Sequence, residues 1–124
     1  MAKKKNAALS LRERLLNNKV KQAQVEVLGE TFIIKQTTQR ETQTLLQSIT
    51  SEAKVPMNDI DFNAFTVIST CRDLDGEFVF APADYHDILE MSSAFVLAYM
   101  VEYDRAFNVT NEEIEGNSTG TKES

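Results

Sequence analysis

Cys71 and His86 are the single thiol and the single imidazole of this 124-residue chain, so nucleophilic or metal chemistry would have to be built around them. Zinc takes four ligands drawn mostly from cysteine and histidine, and here at least two carboxylates would have to complete the set, an unusual combination. A Cys71–His86 nucleophilic pair would need the imidazole to draw off the thiol proton. Against it, Cys71 recurs at helical spacing with Ile60, Ala64, Val67 and Ile68, on an apolar stripe where a cysteine is ordinarily inert core. The run Cys71-Arg72-Asp73-Leu74-Asp75-Gly76 has the outline of a calcium loop. Setting Gly76 at the required sixth position puts Cys71 first and Pro82 twelfth, where carboxylates are needed, so the motif fails. Asp75-Gly76 reads as turn chemistry instead, leaving Asp73 and Asp75 with at most a weak cation contact.

Phosphate and acid–base chemistry fare no better. The four glycines stand at 29, 76, 116 and 120, which makes no phosphate-binding loop. Glu112 and Glu113 are adjacent acids in a polar C-terminal stretch with nothing to fix their geometry. The expectation is therefore no catalytic residue, no metal and no cofactor, hence a protein that is not an enzyme.

The elements that would have to position any site are legible in outline. Residues 1–7 carry too little apolar content to fold and are expected to be disordered. Ser10 with Glu13 forms a capping box for a short helix to about Asn17, striped by Leu11, Leu15 and Leu16. Val25 to Lys35 alternates as a hairpin around Gly29-Glu30, a Gly-X pair of the type II′ kind. That turn sets Val27 opposite Phe32 and Val25 opposite Ile34 on one face, with Glu26 and Ile33 on the other. Thr38 with Glu41 opens a second helix to about Thr50, and Ser51 to Pro56 reads as a loop. Asp59 or Asn58 caps a third helix to about Arg72, followed by a turn over 73–77 and an extended Phe78-Val79-Phe80 that packs as a short strand. Pro82 and Asp84 suit the first turn of a long fourth helix from 82 to about 106. A last helical turn follows Thr110, and the tail from Gly116 is expected to be disordered.

The fold class that results is α+β and mostly helical: an N-terminal β-hairpin packed on three to four helices, the longest near the C-terminus. The expected organisation is a basic segment over 1–22, one globular domain over 23–115 and a tail over 116–124. A hydrophobic content of 42% suffices for a core without disulfides, and a lone cysteine suits a reducing compartment. No export signal is visible, because Arg12, Glu13 and Arg14 interrupt Leu9 to Leu16. The apolar run Ala94 to Val101 is far short of the roughly 20 residues of a spanning helix, so no membrane role is expected.

Charge is divided unevenly. Residues 1–21 hold seven basic residues against one acid, while the rest holds six against eighteen. The basic segment reads as a solvated N-terminus, with contact to an acidic partner surface or nucleic acid as the alternative. The acidic body repels phosphate, so electrostatics oppose nucleic-acid binding.

Two helices supply candidate contact surfaces. On the wheel of the fourth helix, Ile88, Met91, Phe95, Ala98, Tyr99 and Ala106 share a core face, while Leu97, Met100 and Val101 fall opposite. A helix apolar all round must be covered on every side. Either the hairpin and the other helices sandwich it, or Leu97, Met100 and Val101 form a surface for a partner or for self-association. Leu45, Leu46 and Ile49 are the only apolar anchors of the Gln- and Thr-rich second helix and stand as second candidates.

The order of these elements carries a resemblance. Val25 to Leu28, Gly29, Thr31 to Lys35 and then Thr38-Gln39-Arg40-Glu41 look like the opening of the tail assembly chaperones of long-tailed, siphovirus-like bacteriophages. Val67-Ile68-Ser69 leading to Asp73-Leu74-Asp75-Gly76-Glu77 and Phe78-Val79-Phe80, then Asp84 and Thr110-Asn111-Glu112-Glu113, resemble later parts of the same family, so the likeness spans about residues 24–115. The basic helix before the hairpin is longer than that pattern. The resemblance implies a chaperone in the host cytoplasm that binds the tape measure protein, keeps it soluble and extended, and recruits tail tube protein subunits during tail assembly. It also implies a longer frameshifted product in many members. The competing expectations are a virion structural protein, such as a head–tail connector or minor tail component, and a small nucleic-acid-binding regulator working through residues 1–21.

Overall fold

A computed structural model of the chain describes residues 9–107; the expected turn after Thr110, the tail from Gly116 and the residues before Leu9 lie outside the described residues. The fold is α+β and mostly helical, in the order α1 (Leu11–Leu16), β1 (Gln22–Val27), β2 (Glu30–Lys35), α2 (Gln39–Ala53), α3 (Phe62–Thr70), β3 (Cys71–Arg72), α4 (Tyr85–Leu89) and α5 (Ser93–Phe107). Single 3₁₀ turns precede α3 and α4, at Met57–Asp59 and Pro82–Asp84. The described strands form one antiparallel sheet in the order β1-β2-β3.

Two helix starts follow directly from local chemistry. Ser10 and Thr38 each accept the backbone N–H three residues on, and Glu13 and Glu41 return the bond to the cap backbone, so both capping boxes form. The longest helices are α2 and α5, 15 residues each, and α5 packs on β1.

The hairpin departs from the Gly29-Glu30 expectation by one residue at the turn. Val27 pairs with Glu30, Val25 with Phe32 and Ala23 with Ile34. The loop is Leu28-Gly29, with positive φ at both positions (50° and 87°), as a type I′ turn requires. Moving the turn by one residue shifts the pairing by two, which conserves face. Val25, Val27, Phe32 and Ile34 therefore still share the inner face, and Val27, Phe32 and Ile34 are buried.

Three further boundaries differ from the sequence reading. Helix α2 runs on to Ala53, which is buried, and ends at Lys54 in the left-handed region rather than at Thr50. Helix α3 is capped by Asp61, whose carboxylate accepts the Ala64 N–H at 2.9 Å, because Asn58 and Asp59 are used in the 3₁₀ turn after Pro56. It ends at Thr70, since Cys71 and Arg72 leave the helix to pair with Ile34 and Ile33 of β2. Cys71 is core, but as a strand residue rather than on a helical stripe.

The expected single helix from 82 to 106 is two helices. Glu90 and Met91 donate to Asp87 and Ile88 carbonyls, closing α4 in tight i→i−3 bonds. Ser92 then starts α5: its hydroxyl accepts the Ala94 N–H at 3.1 Å and its carbonyl accepts from Phe95 and Val96. Serine competes for its own backbone in helix interiors and favours caps, so the Ser92-Ser93 pair marks the break.

The core lies between the inner sheet face and the helices. Ile34, Ile49, Val67, Ile68 and Tyr99 have no exposed area. Phe32 stacks on Tyr99 with ring centroids 5.7 Å apart. Thr70 Oγ1 donates to Thr66 O at 2.6 Å, so the Tyr99 hydroxyl donates to Thr70 Oγ1 at 2.7 Å. That bond lets the phenol be enclosed without an orphaned proton.

Candidate functional site

The residues with chemical potential are each committed to the fold itself. Cys71 is buried, and burial pushes its thiol up to about 11 despite the neighbouring Tyr99 hydroxyl, which acts the other way. Such a thiol stays protonated at neutral pH and is a poor nucleophile. His86 bonds through Nε2 to the Ala53 carbonyl at 2.8 Å, so that nitrogen carries the proton, and its ring meets Tyr85 edge-on. Burial also holds the Tyr99 and Tyr103 phenols protonated, Tyr99 most strongly. Among the described residues no three His, Cys, Asp or Glu side chains gather as metal ligands. Asp73 is occupied by its own turn: Oδ1 accepts the N–H groups of Asp75 and Glu77 at 2.9 and 3.0 Å.

What the fold does present is apolar surface on rigid supports. Leu97 and Val101, one turn apart on α5, are 61% and 53% exposed. The alternative in which that helix is sandwiched on every side is therefore excluded for these two residues. Met100, expected beside them, is half-buried and packs against the core. On α2 the candidates separate further. Leu45 and Leu46 are half-buried, whereas Ile49 is fully enclosed and belongs to the core.

A second apolar surface was not singled out from the sequence. Leu74, Phe78 and Val79 are exposed on the segment after β3. This segment is not a free strand; Phe78 makes one bridge to Arg72, and Val79 N–H donates to Cys71 O at 3.2 Å. Its conformation is locked from inside by Arg72, a buried side chain. The Arg72 guanidinium lies 3.8 Å from the centre of the Phe78 ring and donates to Gly76 O at 3.0 Å. Its Nε has no partner, so the cation–π contact and one hydrogen bond are what the structure offers the charge. Gly76, at φ 88°, supplies the left-handed position that closes the turn.

Two grooves flank this segment. One, of about 450 Å³, is floored by Phe32, Leu74, Val79, Phe80 and Phe95. Its charged lining is acidic, from Glu30 and Asp73. The other, of about 430 Å³, lies between Leu45 of α2 and the stretch Phe78–Pro82. Leu45 thus joins a groove, while Leu97 and Val101 form a ridge on α5. The signal that could have found the first groove is Leu74 beside Phe78-Val79-Phe80, four large apolar residues within seven positions around a turn that cannot bury them all.

No protein-family model, no curated protein and no solved structure matches this chain. A third open cavity, about 570 Å³, is bounded by Asn18, Lys19 and Val20 on one side and by Gln36 to Gln39 and Tyr103 on the other. It is polar and lies where the segment after α1 meets the start of α2, held by reciprocal bonds of 2.9 Å between Lys21 and Gln36. Among the described residues no helix is long and apolar enough to cross a membrane.

Proposed function

We propose that the chain is a phage tail assembly chaperone. It acts by binding, not catalysis: it holds apolar helical stretches of the tape measure protein in the host cytoplasm and brings tail tube protein subunits to them. The observation that carries this reading is the exposed Leu97–Val101 pair, one helical turn apart on a helix whose other side is anchored by fully enclosed Tyr99. A ridge of that kind offers a client helix two apolar anchors at i and i+4, the spacing used in helix-to-groove contacts. The Leu45 groove is the secondary candidate surface. The succession of hairpin, Thr38-capped helix, Asp-Gly turn and closing helices supports the family resemblance.

The test is co-expression with the tape measure protein of the same phage. Leu97→Asp with Val101→Asp should abolish co-purification while circular dichroism and melting stay as in the parent, since both side chains already face solvent. Met100 and Ile49 are left untouched because their loss would damage the core. Retained binding by the folded double variant would remove α5 as the client surface. Finding the chain in finished particles, rather than only in assembly intermediates, would favour a virion structural role over the chaperone.

A further inference from the structure

Arg72 is only 7% exposed, and among the described residues it has no ion pair. Arginine stays charged wherever it is placed, and an enclosed charge is costly unless an opposite charge and hydrogen bonds answer it. One N–H donates, from Nη1 to Gly76 O; Nε is enclosed without a partner, and no bond leaves Nη2. Phe78 covers one face of the guanidinium. What is left unused is the Nε–Nη2 edge, the planar fork that matches the two oxygens of a carboxylate.

The neighbouring acids do not supply that carboxylate. Asp73 follows Arg72, and Glu77 precedes its bridge partner Phe78, so strand alternation turns both to the opposite face. Asp73 lines the groove on the Cys71 side, and its Oδ1 is taken by the Asp75 and Glu77 N–H groups. Glu26 shares the outer sheet face with Arg72, but β2 lies between their strands, which sets them at least about 10 Å apart. The near neighbours on that face are Ile33, paired with Arg72, and Lys35, which adds positive charge.

We propose that Arg72 receives an acidic side chain of another polypeptide, whose apolar neighbour lies in the groove between Leu45 and the stretch Phe78–Pro82. Phe78 joins the two halves of the site: its ring covers the guanidinium and also lines that groove. Leu45, Val79, Phe80 and Pro82 make the lining apolar. Its charged member is Asp84, at the other end of the stretch, with Oδ2 accepting the Ala81 N–H at 2.8 Å. A cation at one end and a carboxylate at the other orient the bound segment, acid toward Arg72 and apolar side chain over Leu45. The proposal does not depend on the chaperone reading. It is also separate from the Leu97–Val101 ridge, so either site can be lost while the other still binds.

The experiment follows the Arg72 Nε–Hε signal by NMR in the full, isotopically labelled chain, assigned through its contacts with the Phe78 ring. Sodium acetate should move this signal in a saturable way, and sodium chloride at the same ionic strength should not. A blocked tripeptide of leucine, alanine and glutamate should bind about tenfold more tightly than the same peptide with glutamine in place of glutamate. Arg72→Lys keeps the charge but loses the fork and should bring the two peptides within about twofold of each other. Leu45→Ser should weaken the glutamate peptide and leave the acetate response unchanged. A signal that acetate does not move, or that chloride moves equally, would overturn the proposal. Equal affinity for the two peptides in wild type would do so too, as would undiminished preference in folded Arg72→Lys or undiminished peptide affinity in Leu45→Ser. The wild-type measurements need no variant, so they decide the matter even if Arg72→Lys fails to fold.

Discussion

Replacing Leu28 by Asn should stabilise the protein, although it removes a large apolar side chain. Leu28 stands at φ 50° in the two-residue turn, a region that costs a non-glycine residue about 1–2 kcal/mol and that Asn tolerates. The opposing loss is small because Leu28 is 64% exposed. About a third of a leucine's burial, roughly 0.5–1 kcal/mol, is forfeited. The net is a gain of roughly 0.5–1 kcal/mol, or a melting temperature higher by about 2–5 °C for a domain of this size. Gly29→Ala is the companion: at φ 87° a Cβ would meet nothing within 4 Å, so its cost is purely that of the backbone, about 1 kcal/mol of destabilisation. Thermal and urea unfolding by circular dichroism measure both. The result that refutes the reasoning is a lower melting temperature for Leu28→Asn. It would mean that Leu28 is a paired strand residue and that the turn is Gly29-Glu30 after all.

Two other expectations follow from the geometry. Asp61→Ala should cost about 1 kcal/mol in urea unfolding, because it removes the cap of α3, whereas Asp59→Ala should change stability by less than about 0.5 kcal/mol; the reverse order would restore Asp59 as the cap. The folded state binds the Cys71 proton more tightly than the unfolded chain, whose thiol titrates near 9.0, so this stabilisation is complete below about pH 9 and is lost as pH rises toward about 11. Buried Tyr99 adds a slope of the same sign, and because burial is its main cause most of that slope persists in Cys71→Ala. The difference between wild type and Cys71→Ala in pH-dependent unfolding reports the thiol together with its coupling to Tyr99, and an unchanged slope in the variant would show that Cys71 titrates normally.

The sequence carried the architecture further than the site. Capping boxes are local: Ser10 with Glu13 and Thr38 with Glu41 declare their helices without help from tertiary contacts. The inner hairpin face was legible because alternation survives a one-residue error in the turn, whereas the turn itself was not. Gly29-Glu30 and Leu28-Gly29 are both acceptable on paper, and selecting between them depends on how β2 meets β3 and on where Phe32 finds Tyr99. Helix ends failed wherever the competing state was tertiary. Cys71 and Arg72 fit the helical period but gain ladder partners in β2, and Ser92 was hidden inside a wheel that assumed continuity. Among candidate surface residues, Leu97 and Val101 emerged exposed, but Ile49 and Met100 share their composition and face inward. Hydrophobicity shows that a residue wants cover, not whether its own fold supplies it.

Helix α3 has consequences for how this protein can change. Thr66 to Thr70 are buried without a break, yet the hydroxyls there are quenched by the helix's own carbonyls: Thr66 donates to Phe62 O, and Ser69 and Thr70 to Thr66 O. Cohesion thus resides in a spindle from the middle of the sequence, while the leucines of α1, the exposed Leu74 and Val79 and the outer side of α5 contribute little to holding it together. Those outer positions are free to drift. A lineage could change what those surfaces are able to touch several times over while the scaffold stayed as it was.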